Sequence, residues 1–367
     1  MCRVVISGFY GFDNAGDEAI LQSMVSEFRK KIPDIHIVVL SANPSKTTHD
    51  HHVEAVDRSN LVDIYSAIKN CDVLISGGGS LLQDATSVLS MWYYSGIILL
   101  AFLFKKPVFA FAHGIGPIVN RFNIRLLKYI MNRVLGVSVR DKRSQSELKK
   151  LGVEREVSCT IDPAFLINAI AEEKSLELLK KENGNEESNR PKVGFSIRRW
   201  KGDVDISGII AEVADKVYRE LGADIVLFPL HYKKDISLAE EIASKMEESA
   251  IIVRGNYTSE ELIGLYGQMR VNVCVRFHGL VFSIVNSVPV VAISYDPKID
   301  SLMESLEMKT ALRYEELSPL GIFNEIKNKW QNQKSISQQM NLKTEEFKQL
   351  AKEGMDEVMK WLEVVEK

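Results

Sequence analysis

Arg3-Val-Val-Ile-Ser-Gly-Phe-Tyr-Gly-Phe-Asp-Asn-Ala-Gly-Asp-Glu18 opens the chain with an apolar β-type run, a glycine-rich turn and the first residues of an amphipathic helix. The run is apolar on consecutive residues, which suits a strand covered on both faces, and a helix directly after it is the connection that parallel strands need. The pattern recurs. Strands are expected at Val4–Ser7, Ile35–Leu40, Asp72–Ser76, Val108–Phe111, Val137–Arg140 and Glu156–Cys159, with helices at Asp17–Lys31, Leu61–Asn70, Val88–Phe104, Ile124–Leu135 and Arg143–Leu151. A polar stretch, Lys181–Arg190, closed by Pro191, interrupts the rhythm and reads as a solvated linker. Strands resume at Lys192–Ile197, Asp224–Phe228, Ile251–Val253, Val271–Val275 and Val290–Ile293, and the C-terminal tail reads as helix. The expectation is an α/β chain of two doubly wound Rossmann-like domains: residues 1–182, a linker at 183–191, residues 192–335, and a helical segment at 336–367. Ligands of such sheets bind beyond the carboxyl ends of the strands, so the informative residues should follow strands, and a cleft between the domains is the expected place for them.

Bulk properties narrow the function. With 46 Lys plus Arg against 49 acids and a net charge of −3, the chain lacks the strong basic excess of a nucleic-acid binder. An anionic ligand must therefore be met by a local cluster of cations. The four cysteines are scattered, as in a protein of a reducing compartment, and no charged leader precedes the first strand, so a cytoplasmic protein is expected. Val88–Phe104 is apolar for about the minimum length of a membrane span. A buried helix feeding the strand at Val108 accounts for it best, against a peripheral membrane contact or a true span.

Glycines 8, 11 and 16 keep the first turn tight. Asp13 and Asp17 would repel a phosphate but suit the hydroxyls of a sugar, with Asn14 beside them; capping of the helix by Asn14 or Asp17 is the competing reading. Gly77-Gly-Gly-Ser-Leu-Leu-Gln-Asp84 follows the third strand, and three successive glycines there imply close approach of a ligand or of a helix. His113-Gly-Ile-Gly-Pro117 is a rigid turn or a functional one. His49-Asp-His-His52 looks metal-like, yet a solvated loop is the better reading.

Cations recur at strand ends: Arg140-Asp141, Arg198-Arg-Trp200, Arg276-Phe-His-Gly279 and Tyr295-Asp-Pro-Lys298. An arginine fork fits carboxylate or phosphate, and lysine adds a point charge. A surface salt bridge explains any one of them, but less readily four at equivalent positions. His278 is the acid–base candidate, histidine being the residue type that titrates near neutrality.

Together GFDNAGDEAIL, GGGSLLQD, HGIGP, SVRD, DPAF, SIRRW and RFHGLVFS, spread over Val4 to Lys298, resemble the polysaccharide pyruvyl transferase family. The likeness is greatest to members that pyruvylate N-acetylmannosamine in secondary cell-wall polymers, the modification that anchors S-layer proteins. It implies a glycosyltransferase-B-like fold, phosphoenolpyruvate as donor and a 4,6-ketal on the acceptor sugar, and it places donor contacts on Arg140, His278 and Lys298. Position adds Arg198 and Arg276 to the donor set. Asp13, Asn14, Asp17, Gly79, Gln83 and Asp84 form the acceptor set of the first domain. His113 departs from the small or amide residue expected before GIGP. In the implied reaction, protonation of C3 makes C2 electrophilic, two sugar hydroxyls attack in turn, and phosphate leaves. His278 is the candidate acid or phosphate partner and Asp13 the candidate base. The scheme calls for no cofactor and no metal. A lipid-linked acceptor would add a peripheral contact with the inner face of the cell membrane, for which Trp92, Tyr93 and Tyr94 are suitable residue types. The rival is a nucleotide-sugar glycosyltransferase of the same fold, for which Glu240 and Glu248 offer the expected spacing of two glutamates.

Overall fold

The computed structural model describes residues 2–84, 88–200, 204–308 and 311–366. It divides into two compact units: residues 1–166 with 347–367, and residues 167–346.

The first unit alternates β1 (Arg3–Tyr10), α1 (Ala15–Lys31), β2 (His36–Ser41), α2 (Pro44–His51), β3 (Glu54–Asp57), α3 (Leu61–Asn70), β4 (Val73–Ser76), α4 (Val88–Leu103), β5 (Val108–His113), α5 (Arg121–Met131), β6 (Gly136–Val139), α6 (Lys142–Lys150) and β7 (Ser158–Cys159). The strands form one parallel sheet in the order β3-β2-β1-β4-β5-β6-β7. Alternate residues enter two separate cores. Val5, Leu74 and Ala110 pack with α3, α4 and α5, while Val4, Ile6, Ile75 and Phe109 pack with α1 and the end of the chain. Burial on both faces is why these strands read as unbroken apolar runs.

The second unit continues with α7 (Glu172–Glu182), β8 (Lys192–Ser196), α8 (Ile206–Leu221), β9 (Asp224–Leu227), α9 (Tyr232–Lys245), β10 (Ala250–Ile252), α10 (Ser259–Gly267), β11 (Val271–Cys274), α11 (Phe277–Val285), β12 (Val290–Ser294), α12 (Pro297–Ser305), β13 (Leu312–Arg313) and α13 (Pro319–Gln331). Its sheet, β10-β9-β8-β11-β12-β13, is also parallel. Local signals set the helix ends. Asp205 accepts from Gly208 N at the start of α8, and Gly222 closes that helix in the left-handed conformation. Thr258 and Glu261 form a reciprocal capping box on α10.

The division differs from the one expected at 183–191. That stretch joins α7 to β8 inside the second unit, because the Glu182 carboxylate holds the backbone of Arg254 and Gly255 and the Tyr257 hydroxyl. The final helix, α14 (Gln333–Glu366), is divided at residue 346 rather than forming a segment of its own. Its end packs on the first sheet, where Trp361 stacks on Phe109 with ring centroids 4.7 Å apart. The histidine run 49–52 closes α2 instead of lying in a solvated loop, and His51 is buried between Gln22 and Glu18.

Candidate active site

In each sheet the order reverses once, between β1 and β4 in the first unit and between β8 and β11 in the second. Such switch points open a crevice at the carboxyl ends of the strands.

At the first switch point the turn after β1 is tied to its surroundings. Gly11 has φ +78°, and a Cβ there would lie 2.5 Å from Asn43 N, so only glycine fits. Its N–H donates to Glu18 Oε1 at 2.8 Å, and the other Glu18 oxygen is within 3.1 Å of His51 Nε2. Asp13 takes φ +56° and accepts from Lys46 Nζ at 2.8 Å. Asn14 is the N-cap residue of α1 but caps with its backbone alone; its side-chain amide donates to Asp17. Asp17, buried in the first turn of α1, lies near Gly79, where a Cβ would come within 3.1 Å of Asp17 Oδ1. The close approach that the glycine triplet implied is thus to α1 and to Tyr10: a Cβ at Gly78 would meet Ile20 at 3.2 Å, and one at Gly77 the Tyr10 hydroxyl at 2.5 Å.

Gln83 lies against Gly116, where an added Cβ would meet its Cβ at 2.7 Å. Asp84 accepts from Val119 N (2.8 Å), Asn120 N (3.0 Å) and Asn123 Nδ2 (2.9 Å), so it holds the entry to α5. Burial opposes its ionisation, yet these three donors bring its carboxyl below the ordinary range. His113 is fully buried, with Nε2 3.1 Å from Ser76 Oγ. Burial first, and the Arg140 charge second among the lowering effects, push its pKa down to about 4, which makes it a neutral packing residue of β5.

Arg140, at the end of β6, is buried too. It donates to Asp162 Oδ2 at 3.0 Å and to Ser80 Oγ at 3.0 Å, and Asp162 itself is buried. The Asp162 partner, from the Asp162-Pro-Ala-Phe165 motif, was not singled out by the sequence reading.

The second switch point carries the opposite sign. Arg276 caps α11 with its backbone and grips the buried Asp235 with two guanidinium nitrogens, Nε reaching Oδ2 at 2.9 Å. Arg198 donates to the Tyr295 hydroxyl at 3.0 Å and lies over the rings of Trp200 and Tyr295, 5.0 and 4.8 Å from their centroids. Lys298, in the first turn of α12, is 3.7 Å from Asp296 and 5.6 Å from the Tyr295 ring centroid. Tyr295 is therefore shared between two cations. Burial works against its ionisation, but Lys298 and Arg198 outweigh it and draw the phenol below its ordinary value. His278 stands in the first turn of α11, edge-on to Phe277 at 5.3 Å. His231, after β9, is buried; desolvation, then Lys234 and Arg276, push its pKa to about 4 against the pull of Asp235.

The expected donor cations thus split. Arg198, Arg276, His278 and Lys298 gather at the ends of β8, β11 and β12, whereas Arg140 belongs to the first unit. Sequence reasoning missed Tyr295, His231 and Asp235; the Tyr-Asp-Pro-Lys run was a signal for the first, while Asp235 sits 41 positions from its arginine and left none. Glu240 and Glu248 are engaged elsewhere, with Arg254 at 2.6 Å and Arg219 at 2.9 Å. Among the described residues no three His, Cys, Asp or Glu side chains cluster as a metal site would require. No helix among them is long and apolar enough to cross a membrane.

Two parallel α/β sheets of one topology, each with its switch point at the strand ends, define a two-domain α/β protein of glycosyltransferase-B-like fold. Residues 14–297 match the family described as polysaccharide pyruvyl transferase, and the chain belongs to that family. Membership makes it a transferase whose chemistry is pyruvyl transfer in polysaccharide biosynthesis. It is similar to the amylovoran biosynthesis protein AmsJ of Erwinia amylovora, 20% identical over 423 residues and covering 98% of this chain and 99% of AmsJ. Among solved structures, Anabaena Alr3699/HepE in complex with UDP and glucose superimposes with a TM-score of 0.65 at 12% identity, over 99% of this chain and 100% of that one. The UDP-GlcNAc 2-epimerase of Neisseria meningitidis bound to UDP-GlcNAc gives 0.64 at 12% identity, over 98% and 100%. At such identities the likeness to these structures is one of fold.

Proposed function

We propose that this chain transfers the enolpyruvyl unit of phosphoenolpyruvate to the 4- and 6-hydroxyls of N-acetylmannosamine in a lipid-linked precursor of a secondary cell-wall polymer, the kind that anchors S-layer proteins. The observation that carries the reading is the cation group at the second switch point, where Arg198 and Lys298 are both held against Tyr295 beside the first turn of α11. Phosphoenolpyruvate presents a carboxylate and a phosphate on three carbons, and converging cations at helix N-termini suit both. Arg276 lends its charge while Asp235 fixes its position. Arg140 stays in the donor set on the family resemblance.

The steps balance without a further co-reactant. A proton goes from His278 to C3, leaving electron-poor C2. The first hydroxyl adds to C2 and gives up its proton to a base, for which Asp13 is the candidate. Phosphate departs with the C2–O bond pair and the second hydroxyl closes the ketal, so that of the two hydroxyl protons one ends on the released phosphate and the other restores His278. In this scheme Arg198, Arg276, His278 and Lys298 of the second unit bind the donor with Arg140, and Asp13, Asn14, Asp17, Gly79, Gln83 and Asp84 of the first unit serve the acceptor, Asp84 by holding the turn before α5. No cofactor takes part, and the work is cytoplasmic. The test is phosphate release from phosphoenolpyruvate across a panel of N-acetylhexosamine acceptors. Release that depends on an N-acetylmannosaminyl acceptor is expected; release with no acceptor preference, or binding of nucleotide sugars in place of phosphoenolpyruvate, would overturn the reading.

A further inference from the structure

Helix α4 contains no charged residue, yet only one of its faces is buried. Met91, Tyr94, Ile98 and Ala101 enter the core, while Leu89, Trp92, Gly96, Leu99 and Leu103 recur at intervals of three and four and point to solvent. The exposure is large: 78% for Leu89, 53% for Trp92 and 73% for Leu103. Phe122 of α5, 60% exposed, extends the stripe, its ring edge-on to Trp92 at 6.4 Å. Of the aromatic residues that the sequence suggested for membrane contact, only Trp92 faces outward. Tyr94 is buried and Tyr93 is half-buried, its hydroxyl donating to Arg58 O.

The segment that builds the stripe carries cations only, with Lys128 paired to Glu154 from outside it. From Val88 to Leu135 the chain holds Lys105, Lys106, Arg121, Arg125, Lys128 and Arg133 and no acid, although the whole chain carries −3. Arg121, Arg125 and Lys105 are exposed beside the stripe. A second copy meeting this face across a two-fold axis would set like charges against each other, since such an interface is self-complementary. An apolar ridge rimmed by cations instead matches an anionic bilayer, where leucine and tryptophan enter the headgroup region and Lys or Arg meets lipid phosphates.

We propose that the α4–α5 face of the first unit docks onto the surface of an anionic lipid bilayer without crossing it. The inference stands on this surface and not on the reaction assigned to the strand ends. It is tested with the full chain and vesicles of phosphatidylglycerol with phosphatidylcholine, compared with phosphatidylcholine alone. Co-sedimentation with the first, released by high salt and absent with the second, is expected, together with a blue shift of tryptophan emission that Trp92→Ala removes. Arg121→Gln/Arg125→Gln should weaken binding by about fivefold per cation, and Leu89→Ser/Leu103→Ser should abolish it, both leaving phosphate release with a soluble acceptor unchanged. Equal binding to both vesicle types, no binding to either, or a Leu89→Ser/Leu103→Ser variant that instead shifts a monomer–dimer equilibrium in sedimentation would overturn the proposal. Vesicle binding by an enzyme that releases no phosphate from phosphoenolpyruvate would overturn the reaction and leave the docking face standing.

Discussion

The two sheets share a strand order and a device. Each ends a strand with an arginine clamped on a buried aspartate, Arg140 on Asp162 in the first unit and Arg276 on Asp235 in the second. What surrounds the clamp differs. Beside Arg276 stand Arg198 and Lys298, held by a phenol, two rings and one loosely placed carboxylate. In the first unit the turn after β1 carries Asp13, Asp17 and Glu18, tied to Lys46, Asn14, Gly11 and His51. One topology carries mainly carboxylates at its first switch point and mainly cations at its second, and the proposed division between a hydroxyl-bearing acceptor and an anionic donor rests on that contrast. Each clamped arginine is fixed in place by its aspartate, and the partly exposed Arg198 and Lys298 beside Arg276 are the freer to adjust to a ligand.

The sharpest way to break that assignment is at His278. Removing a general acid costs about 10²–10⁴ in turnover, so His278→Ala should fall by that much at saturating phosphoenolpyruvate. His278→Gln can still donate a hydrogen bond to phosphate and should restore donor binding without restoring rate. If Gln keeps more than about a tenth of wild-type turnover, the imidazole only binds phosphate, and Asp13 becomes the residue to test for proton transfer.

Next in size is the loss of one cation from each unit. Arg140→Ala leaves Asp162 charged and buried, which should cost about 3–5 kcal/mol of stability, read in thermal unfolding, with part recovered in Arg140→Ala/Asp162→Ala. Lys298→Ala should leave the melting curve alone and weaken phosphoenolpyruvate binding by roughly 1.5–3 kcal/mol. An Arg140→Ala protein that melts normally but has lost its donor would make Arg140 a donor contact without a structural role and dissolve the contrast.

Acid should strain both units in one window. His113 and His231 each have a folded pKa of about 4 against an ordinary 6.5. The unfolded chain therefore binds the extra protons between those values, and stability, complete above about 6.5, is lost as pH falls towards 4. For His113 the loss amounts to roughly 2–3 kcal/mol at the acid end. His113→Asn should flatten the dependence of unfolding free energy on pH in this range, whatever it does to stability at neutral pH; an unchanged slope would mean that His113 titrates normally in the folded protein.

The central strands were legible because burial on both faces leaves only apolar residues to read, and the strand-end cations were legible because topology places chemistry there. The edges were not. β3 (Glu-Ala-Val-Asp) and the two-residue β13 lie at sheet margins with no apolar run, and α2 is polar, recognisable only from the Asn43 cap and Pro44 behind it. The polar stretch at 183–191 reported solvent exposure, which a loop inside one unit shares with a linker between two. The partners of Arg140 and Arg276, 22 and 41 positions away, depend on how elements meet in space and leave no local mark.

The smallest expected effect separates two carboxylates of the acceptor set. Asp84 accepts hydrogen bonds from Val119 N, Asn120 N and Asn123 Nδ2, while Asp13 accepts from the Lys46 ammonium. Asp84→Asn keeps the shape but removes the charge that two backbone N–H groups and an amide address, so it should cost about 1 kcal/mol of stability. Acceptor KM should shift in step with that loss of order in the turn. Asp13→Asn should leave unfolding nearly unchanged, since its partner Lys46 is a partly exposed side chain and such pairs contribute little, about 0–1 kcal/mol. Its effect should appear in turnover, because the amide cannot take a proton from a sugar hydroxyl. Thermal unfolding and steady-state kinetics on both variants, side by side, distinguish the roles. If Asp13→Asn loses stability and keeps its rate, the turn after β1 is a structural clasp, and the base must be sought elsewhere at the strand ends.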